Sequence, residues 1–182
     1  RHLRPKVLLV AANSSGDDVA YLRAALQSLA NPRFDVEAAG PAALAQRSLD
    51  GFAAVVVSDA GIIDEVGQRQ LRRFVEAGGA ALLTLGPRAM QRGGEALTGA
   101  TLARGAQRAA GLPARVSDVE QSHPMLRDAA GWRSIRFFRH VPVEPPQGAQ
   151  VLLRLDSGAP LLLEQALGNG RVLTLTSPLA RD

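Results

Sequence analysis

Three short, predominantly apolar segments alternate with segments of helical periodicity in the first half of the chain. The apolar segments span residues 6–11, 53–58 and 80–85. A strand that is apolar at every position has to be covered on both faces, which is typical of parallel sheets. Helices that connect such strands cross over the sheet and leave consecutive strands parallel. The pattern therefore predicts an α/β fold with a parallel sheet flanked by helices.

The segments between these runs supply the expected helices and one more strand. A helix is predicted from the loop at residues 13–16 to about residue 29, followed by a short strand at 34–38 and a weak helix at 41–46. Asp64 is a good N-cap for the next helix, which the glycine pair at residues 78–79 ends. The first 85 residues thus read as repeated strand and helix units.

The second half of the chain changes character. Residues 86–111 are rich in Gly, Arg and Ala, and they predict one or two loose helices and a mobile loop. Strand signals then follow without long helices between them, at 115–119, 135–143, 150–155, 161–167 and 171–176. Turns at 156–158 and 168–170 contain Gly and Asn, which accept positive φ and favour hairpins. We therefore expect the parallel sheet to continue into an antiparallel extension.

Composition limits the classes of function. The chain has 182 residues, 46% of them hydrophobic, which fits one domain with a sizeable core. Its net charge is +4, but the Arg residues are spread along the chain, so nucleic acid is not an expected partner. It has no cysteine, and its three histidines lack the spacing of a helical metal site. No metal and no cofactor are expected.

Ligands of open parallel sheets bind beyond the carboxyl ends of the strands, which directs attention to three loops. The first loop contains Asn13 but has no phosphate-binding glycine motif, and Asp17 and Asp18 would oppose a phosphate. The second loop contains Asp59, which could orient a catalytic base, bind a polar ligand or accept N–H bonds in its own turn. No choice among these roles follows from the sequence.

The third loop has the position of a nucleophile elbow, a sharp turn between a strand and a helix. The turn reads Gly86-Pro87-Arg88. Proline has neither a nucleophilic atom nor an N–H for an oxyanion hole, and a protonated arginine cannot attack. We therefore predict the shape of an elbow without its chemistry, with Arg88 as the best contact for an anion.

His123 is the remaining candidate. As a base it would need a nucleophile and an orienting carboxylate, for which Asp59 and Asp118 are available; the alternative is a structural histidine that donates to a backbone carbonyl. No catalytic residue is predicted. The predicted ligand crevice consists of Asn13, Asp59, Pro87, Arg88 and His123.

The order of several motifs resembles a known family. The segments are Val7 to Val10, Gly16-Asp17-Asp18, Val55 to Asp59, LRRFVEAGG at 71–79, the elbow at 82–88, His123-Pro124, IRFFRHVP at 135–142 and GNGRVLTLTSPL at 168–179. Together they resemble the class I glutamine amidotransferase-like domain of bacterial BatA-type membrane proteins. The resemblance implies a flavodoxin-like sheet, and it implies that residues 1–182 are one domain of a larger membrane-anchored protein.

The resemblance also carries functional expectations. It implies a location on the periplasmic face of the inner membrane and protein partners in the envelope, including von Willebrand factor A-like domains. Amidotransferases of this class use an elbow cysteine, which this chain lacks, so glutaminase chemistry is excluded. The resemblance thus implies a non-catalytic domain for protein or ligand interaction.

Two alternatives stay open. The same fold includes ThuA-like, sugar-associated proteins, so one alternative is a hydrolase or a carbohydrate-related enzyme or binding module that uses Asp59 and His123. It requires these two side chains to converge at a pocket. The other is a structural spacer, which would have a filled or shallow crevice.

Overall fold

The computed structural model describes residues 4–28, 34–103, 113–127 and 130–179. The strands are β1 (Lys6–Ala11), β2 (Asp35–Ala39), β3 (Phe52–Ser58), β4 (Ala80–Thr84), β5 (Gly94–Glu95), β6 (Ala100–Leu102), β7 (Ala114–Val119), β8 (Arg136–Phe137), β9 (Val143–Glu144), β10 (Gln150–Leu155), β11 (Pro160–Leu167) and β12 (Gly170–Leu175). The helices are α1 (Asp17–Ser28), α2 (Ala43–Gln46), α3 (Glu65–Glu76) and α4 (Pro87–Arg92), with 3-10 turns at Pro124–Leu126 and Ala130–Ser134. No helix within the described residues is long and apolar enough to cross a membrane.

Within the described residues, nine strands form one mixed sheet in the order β2-β1-β3-β4-β12-β11-β10-β7-β8. Strands β2, β1, β3 and β4 are parallel to their neighbours, and β12 adds to β4 in the same direction. From β12 outward each strand is antiparallel to the next. The predicted α/β fold, with a parallel sheet and an antiparallel extension, is confirmed.

The apolar strands are buried on both faces, as their composition requires. In β1, Leu8 packs in one core cluster with Leu71 of α3, while Leu9 packs in another with Val19 of α1. Each of these side chains is at most 3% exposed. Burying a side chain of this size contributes roughly 1.5–3 kcal/mol, so the two covered faces hold the parallel half together.

Gly170 allows β12 to begin beside β4. A Cβ atom at this position would lie 2.1 Å from the carbonyl oxygen of Val75 and 2.2 Å from that of Gly79. No side chain fits between the end of α3 and the start of β4 at such distances. The glycine-rich turn at 168–170 therefore does more than close a hairpin, because it seats the antiparallel half against the parallel half.

The prediction of one strand over 135–143 is wrong. The segment contains β8 and β9, which belong to different sheets, with an irregular stretch between them. There the Val141 N–H donates to the carbonyl of Thr176 rather than to a neighbouring strand, and Pro142 has no N–H to donate. The chain thus leaves one sheet and enters the other.

The prediction for residues 86–111 is corrected in part. Helix α4 is present, but β5 and β6 follow it and form a three-stranded antiparallel sheet with β9. Gly93, which ends α4, has a φ of 80° and turns the chain into β5. The rest of the predicted mobile loop, at residues 104–111, lies outside the described residues.

Candidate functional site

Asp59 follows β3 and points its carboxylate at the first turn of α4. Its Oδ2 accepts a hydrogen bond from the Arg88 N–H at 3.1 Å, and its Oδ1 accepts one from the Ala89 N–H at 2.9 Å. The N–H groups of a first helical turn have no partner within the helix, and a carboxylate there also complements the helix dipole. Asp59 therefore caps α4 from a different loop.

The backbone of Asp59 is strained to reach this position. Its φ is 37°, in the left-handed region that residues other than glycine adopt rarely, and the residue is only 8% exposed. Aspartate is one of the few residues that tolerate this region. The two hydrogen bonds to α4 offset the strain.

Gly86 makes room for the Asp59 carboxylate. A Cβ atom on Gly86 would lie 2.6 Å from Asp59 Oδ2, which is closer than such contacts occur. The φ of Gly86 is −147°, which any residue can adopt, so the position requires glycine for space and not for conformation. The elbow glycine and Asp59 form one structural unit.

This unit occupies the place of an oxyanion hole. In a nucleophile elbow, the residue after the nucleophile donates its N–H to the developing oxyanion. With Pro87 at the nucleophile position, that N–H belongs to Arg88, and it is already bonded to Asp59. The N–H group that would serve an oxyanion hole at this elbow is thus already bonded to the Asp59 carboxylate.

Arg88, predicted as an anion contact, lies beside an anion of the protein itself. Its Nη1 is 3.8 Å from Asp59 Oδ2, and its side chain is 54% exposed. The guanidinium has five N–H donors, and the contact with Asp59 involves only Nη1, so other donors stay available. Asp59, Pro87 and Arg88 therefore lie close together, and the Asp59 carboxylate partly balances the charge of Arg88.

Asn13 lies in a separate network. Its Oδ1 accepts from the Ser15 N–H at 3.0 Å, which closes a local turn before α1. Asp18, in the first turn of α1, accepts from the Ser58 hydroxyl at 3.1 Å and so ties α1 to the end of β3. These contacts give the loop a structural role.

His123 lies over the middle of the sheet, away from the elbow. Its Nε2 is 2.8 Å from Oε2 of Glu164 in β11. Strand β11 is two strands from β4, and Glu164 is level with Leu82 through its pairing with β12. The carboxylate partner of His123 is thus Glu164, and neither Asp59 nor Asp118. The predicted alternative, a histidine that donates to a backbone carbonyl, is corrected in the same way, because Nε2 faces the Glu164 carboxylate.

A cavity of about 400 Å³ adjoins the elbow helix. It lies between the loop after β3, helix α3, the end of α4 and the small sheet. Its lining residues are Gly61, Ile62, Ile63, Gln68, Arg92, Gly93, Glu95, Ala96, Gly99, Ala100 and Thr101. We call this cavity the cleft. None of the five predicted crevice residues lines it, although Gly61 follows Asp59 by two positions.

Arg92 and Glu95 supply the charges of the cleft. Arg92 Nη2 is 3.7 Å from Glu95 Oε2, and Arg92 Nη1 donates to the carbonyl of Gly61. Glu95 Oε1 accepts from the Leu97 N–H at 3.2 Å. Burial raises the pKa of the Glu95 carboxyl, while the Leu97 N–H and the Arg92 charge oppose that rise. The sequence analysis missed this pair, although the sequence shows opposite charges at i, i+3 spacing where α4 ends.

The described residues offer no group of three or more His, Asp or Glu side chains that could hold a metal ion. The elbow has an occupied donor and no nucleophile, and the cleft has one carboxylate beside one guanidinium. Such a cleft can bind and orient a polar molecule.

Comparison with solved structures identifies the fold. A cytoplasmic protein from Salmonella typhimurium LT2 matches with a TM-score of 0.71 and 19% identity over 97% of this chain and 89% of its own. A ThuA-like protein from Bacteroides uniformis matches with a TM-score of 0.67 and 11% identity over 96% and 82%. An exo-β-1,4-mannosidase from an Opitutaceae bacterium matches with a TM-score of 0.58 and 20% identity over 97% of this chain and 31% of the enzyme.

No protein-family model and no curated protein sequence matches the chain. At these identities the structural similarities show the fold alone. That fold is the class I glutamine amidotransferase-like, flavodoxin-like fold of the ThuA-like proteins. The narrower assignment to BatA-type proteins stays a prediction.

The contact between Asp59 and Gly86 can be tested by a double-mutant cycle. Gly86→Ala is expected to lower the free energy of unfolding by about 1–3 kcal/mol, because the new methyl group overlaps the carboxylate. In an Asp59→Gly background the carboxylate is absent, so the same substitution should cost only a few tenths of a kcal/mol. Urea unfolding of the four proteins measures the coupling.

The control for this cycle is Gly40→Ala, since a Cβ atom at Gly40 meets nothing within 4 Å. Its effect should be the same in both backgrounds. If Gly86→Ala costs as much without Asp59 as with it, Asp59 does not occupy the elbow.

The buried Glu95 carboxyl predicts a pH dependence of stability. A pKa that is higher in the folded than in the unfolded protein means that the folded protein binds more protons, so stability falls as the pH rises from the ordinary value of 4.5 through the raised value. Glu95→Gln removes the titrating group and keeps an oxygen for the Leu97 N–H. Relative to wild type, the variant should gain stability as the pH rises through this range. Urea unfolding of both proteins at a series of pH values measures this difference. If the free energy of unfolding changes with pH equally in the two proteins, the prediction is contradicted.

Proposed function

We propose that this chain is a non-catalytic amidotransferase-like domain that works by recognition and binds a ligand in the cleft beside its elbow. The observation that carries the proposal is the Asp59 carboxylate on the N–H groups of Arg88 and Ala89. A carboxylate at that place would repel a second anion such as a developing oxyanion. The elbow therefore has a structural role, in which it connects β4 to α4. The neighbouring cleft offers room for a ligand.

The chemistry of the cleft favours an uncharged ligand that carries hydroxyl groups. The Glu95 carboxylate accepts hydrogen bonds, the Arg92 guanidinium donates them, and their charges balance. A hydroxyl both donates and accepts, so neighbouring hydroxyls can satisfy both side chains. Ile62 lines the cleft and is 82% exposed, so it offers apolar surface for the C–H face of such a molecule.

A carbohydrate is the second, narrower candidate, as a ligand and not as a substrate. The balanced Arg92–Glu95 pair favours it, and so does the occurrence of the same fold within a sugar-cleaving mannosidase. The hydrolase version of this candidate needs Asp59 and His123 at one pocket. Asp59 instead bonds α4, and His123 bonds Glu164.

The cellular setting is proposed on the sequence resemblance alone. It comprises a membrane anchor outside this chain, a periplasmic location and partners with von Willebrand factor A-like domains. Within that setting, a recognition domain without catalysis would report on or tether a ligand in the envelope. The proposal for the cleft does not depend on this setting.

The test is an NMR titration of the ¹⁵N-labelled protein with two uncharged disaccharides, β-1,4-mannobiose and galactobiose. At least one should shift the amide signals of Gly61, Gly93 and Gly99, which line the cleft. Glu95→Ala and Arg92→Ala should each weaken binding by about tenfold or more, because each removes one of the two charged groups that would bond the hydroxyls of the ligand. Chromatography after prolonged incubation should show the sugars intact.

Arg88→Ala is the discriminating control, since Arg88 belongs to the elbow and does not line the cleft. It should leave binding unchanged. The proposal would be contradicted by cleavage of either sugar, by the absence of shifts with both, or by loss of binding in Arg88→Ala alone.

A further inference from the structure

A pair of arginines faces outward at the end of the large sheet that β7 and β8 form. Arg115 in β7 lies directly opposite Arg136 in β8, and these two strands are antiparallel. Directly opposite residues of such strands share one face of the sheet, with their Cβ atoms about 4.5–5.5 Å apart. Both arginines are exposed. Two positive charges are therefore held side by side at this end of the sheet.

The core determines which face the arginines occupy. Ala114 and Phe137 form the adjacent cross-strand pair, and both pack against the core cluster that contains Val116. Side chains alternate between the two faces of a strand. Arg115 and Arg136 therefore project from the face opposite to this cluster, where they meet solvent.

The charges of this pair are not balanced by a carboxylate within the described part of the chain. None of the ion pairs there includes Arg115 or Arg136. Asp156 is near, but its Oδ2 accepts a hydrogen bond from the backbone N–H of Arg115 at 3.3 Å. Like charges directly opposite each other in a sheet are destabilising. The folded protein thus keeps a repulsive pair that a bound anion would relieve.

Apolar side chains adjoin the two arginines. Ile135 directly precedes β8 and is 43% exposed, and Phe138 directly follows β8 and is 72% exposed. Apolar area of this kind favours association, because a partner that covers it removes it from water. We call the surface formed by Arg115, Ile135, Arg136 and Phe138 the arginine surface. It combines positive charge with apolar area.

Two features limit the kind of partner that the arginine surface fits. Asp118 of β7 and Asp156 after β10 are both exposed beside it, so the positive area is short and its surroundings oppose a continuous polyanion such as nucleic acid. Strand β8 is the last strand of the sheet as far as the structure describes it, so its outer edge has no strand beside it. Such an edge can pair with the main chain of an extended peptide, which nucleic acids and lipids lack.

We propose that the arginine surface binds an extended, acidic segment of a protein partner, with a carboxylate between Arg115 and Arg136 and an apolar residue against Phe138. A carboxylate between two guanidiniums makes charge-assisted hydrogen bonds, and it also offsets their mutual repulsion. The cleft lies elsewhere, since its lining includes none of the residues of the arginine surface. This inference is therefore independent of the ligand proposed for the cleft.

The experiment is an NMR titration of the ¹⁵N-labelled protein with two heptapeptides. The acidic peptide alternates threonine and glutamate around one central leucine, and the neutral peptide has glutamine in place of each glutamate. At low salt the acidic peptide should bind about tenfold more tightly and should shift the amide signals of Arg115, Arg136 and Phe138. The preference should shrink as sodium chloride is added, because both arginines are exposed.

Arg115→Gln and Arg136→Gln test the pair, because each variant removes one of the two charges. Each should reduce the preference for the acidic peptide by about threefold or more. Thermal unfolding should show both variants at least as stable as wild type, since each substitution removes a like-charge contact. Arg73→Gln is the matched control, because Arg73 is exposed on α3 and makes the same change of charge away from this surface. It should keep the wild-type preference.

The titrations also decide between classes of partner. Equal binding of the two peptides, or a preference that survives in both arginine variants, would overturn the inference. Peptide shifts confined to Gly61, Gly93 and Gly99 would overturn it too, because the peptide would then bind in the cleft. Single-stranded DNA or phosphatidylglycerol vesicles that act on the same amides more strongly than the acidic peptide would replace the protein partner by a nucleic acid or a membrane.

Discussion

The capping of α4 by Asp59 is the interaction on which the rest of the site depends. A carboxylate from the loop after β3 satisfies two N–H groups of the helix that follows β4, and so it joins the ends of two neighbouring strands. It requires an aspartate at positive φ and a glycine at position 86. One buried anion thereby sets the shape of the elbow, removes its donor and directs Arg88 toward the protein itself.

The contact between Asp59 and α4 also positions the residues of the cleft. Because Asp59 fixes the loop after β3, Gly61 is placed where its carbonyl accepts from Arg92 at the end of α4. Arg92 in turn lies beside Glu95, whose burial between α4 and β6 raises the pKa of its carboxyl. A polar cleft with balanced charge is thus built from the residues that close the elbow, which is why recognition is proposed here in place of catalysis.

Much of the fold could be predicted from the sequence, because local patterns determine it. The runs at β1, β3 and β4 are apolar on both faces, and this alone requires helices on both sides of the sheet. The elbow at Gly86 was also visible, since a buried strand ends there in glycine and proline. The break between β8 and β9 was not visible, because the bond from Val141 to Thr176 joins residues distant in sequence.

The site was predictable only in part, for the same reason. Asp59 was identified by its place at a strand end, but its partners lie about 30 residues further along the chain. His123 was grouped with Asp59 although it pairs with Glu164, because strand order decides which carboxylate comes near. The burial of Glu95 depends on β6 and α4 together and has no signature in its own segment. Residue type thus indicated the chemistry, while topology determined the partners.

Amide hydrogen exchange tests the central claim, that an internal carboxylate occupies the elbow, most directly. The N–H groups of Arg88 and Ala89 are expected to exchange more slowly in wild type than in Asp59→Ala, by about tenfold or more, because each loses its buried acceptor in the variant. The Leu85 N–H, which donates to Leu175, serves as the internal reference and should exchange equally in both proteins. Equal exchange of Arg88 and Ala89 in the two proteins would contradict the account.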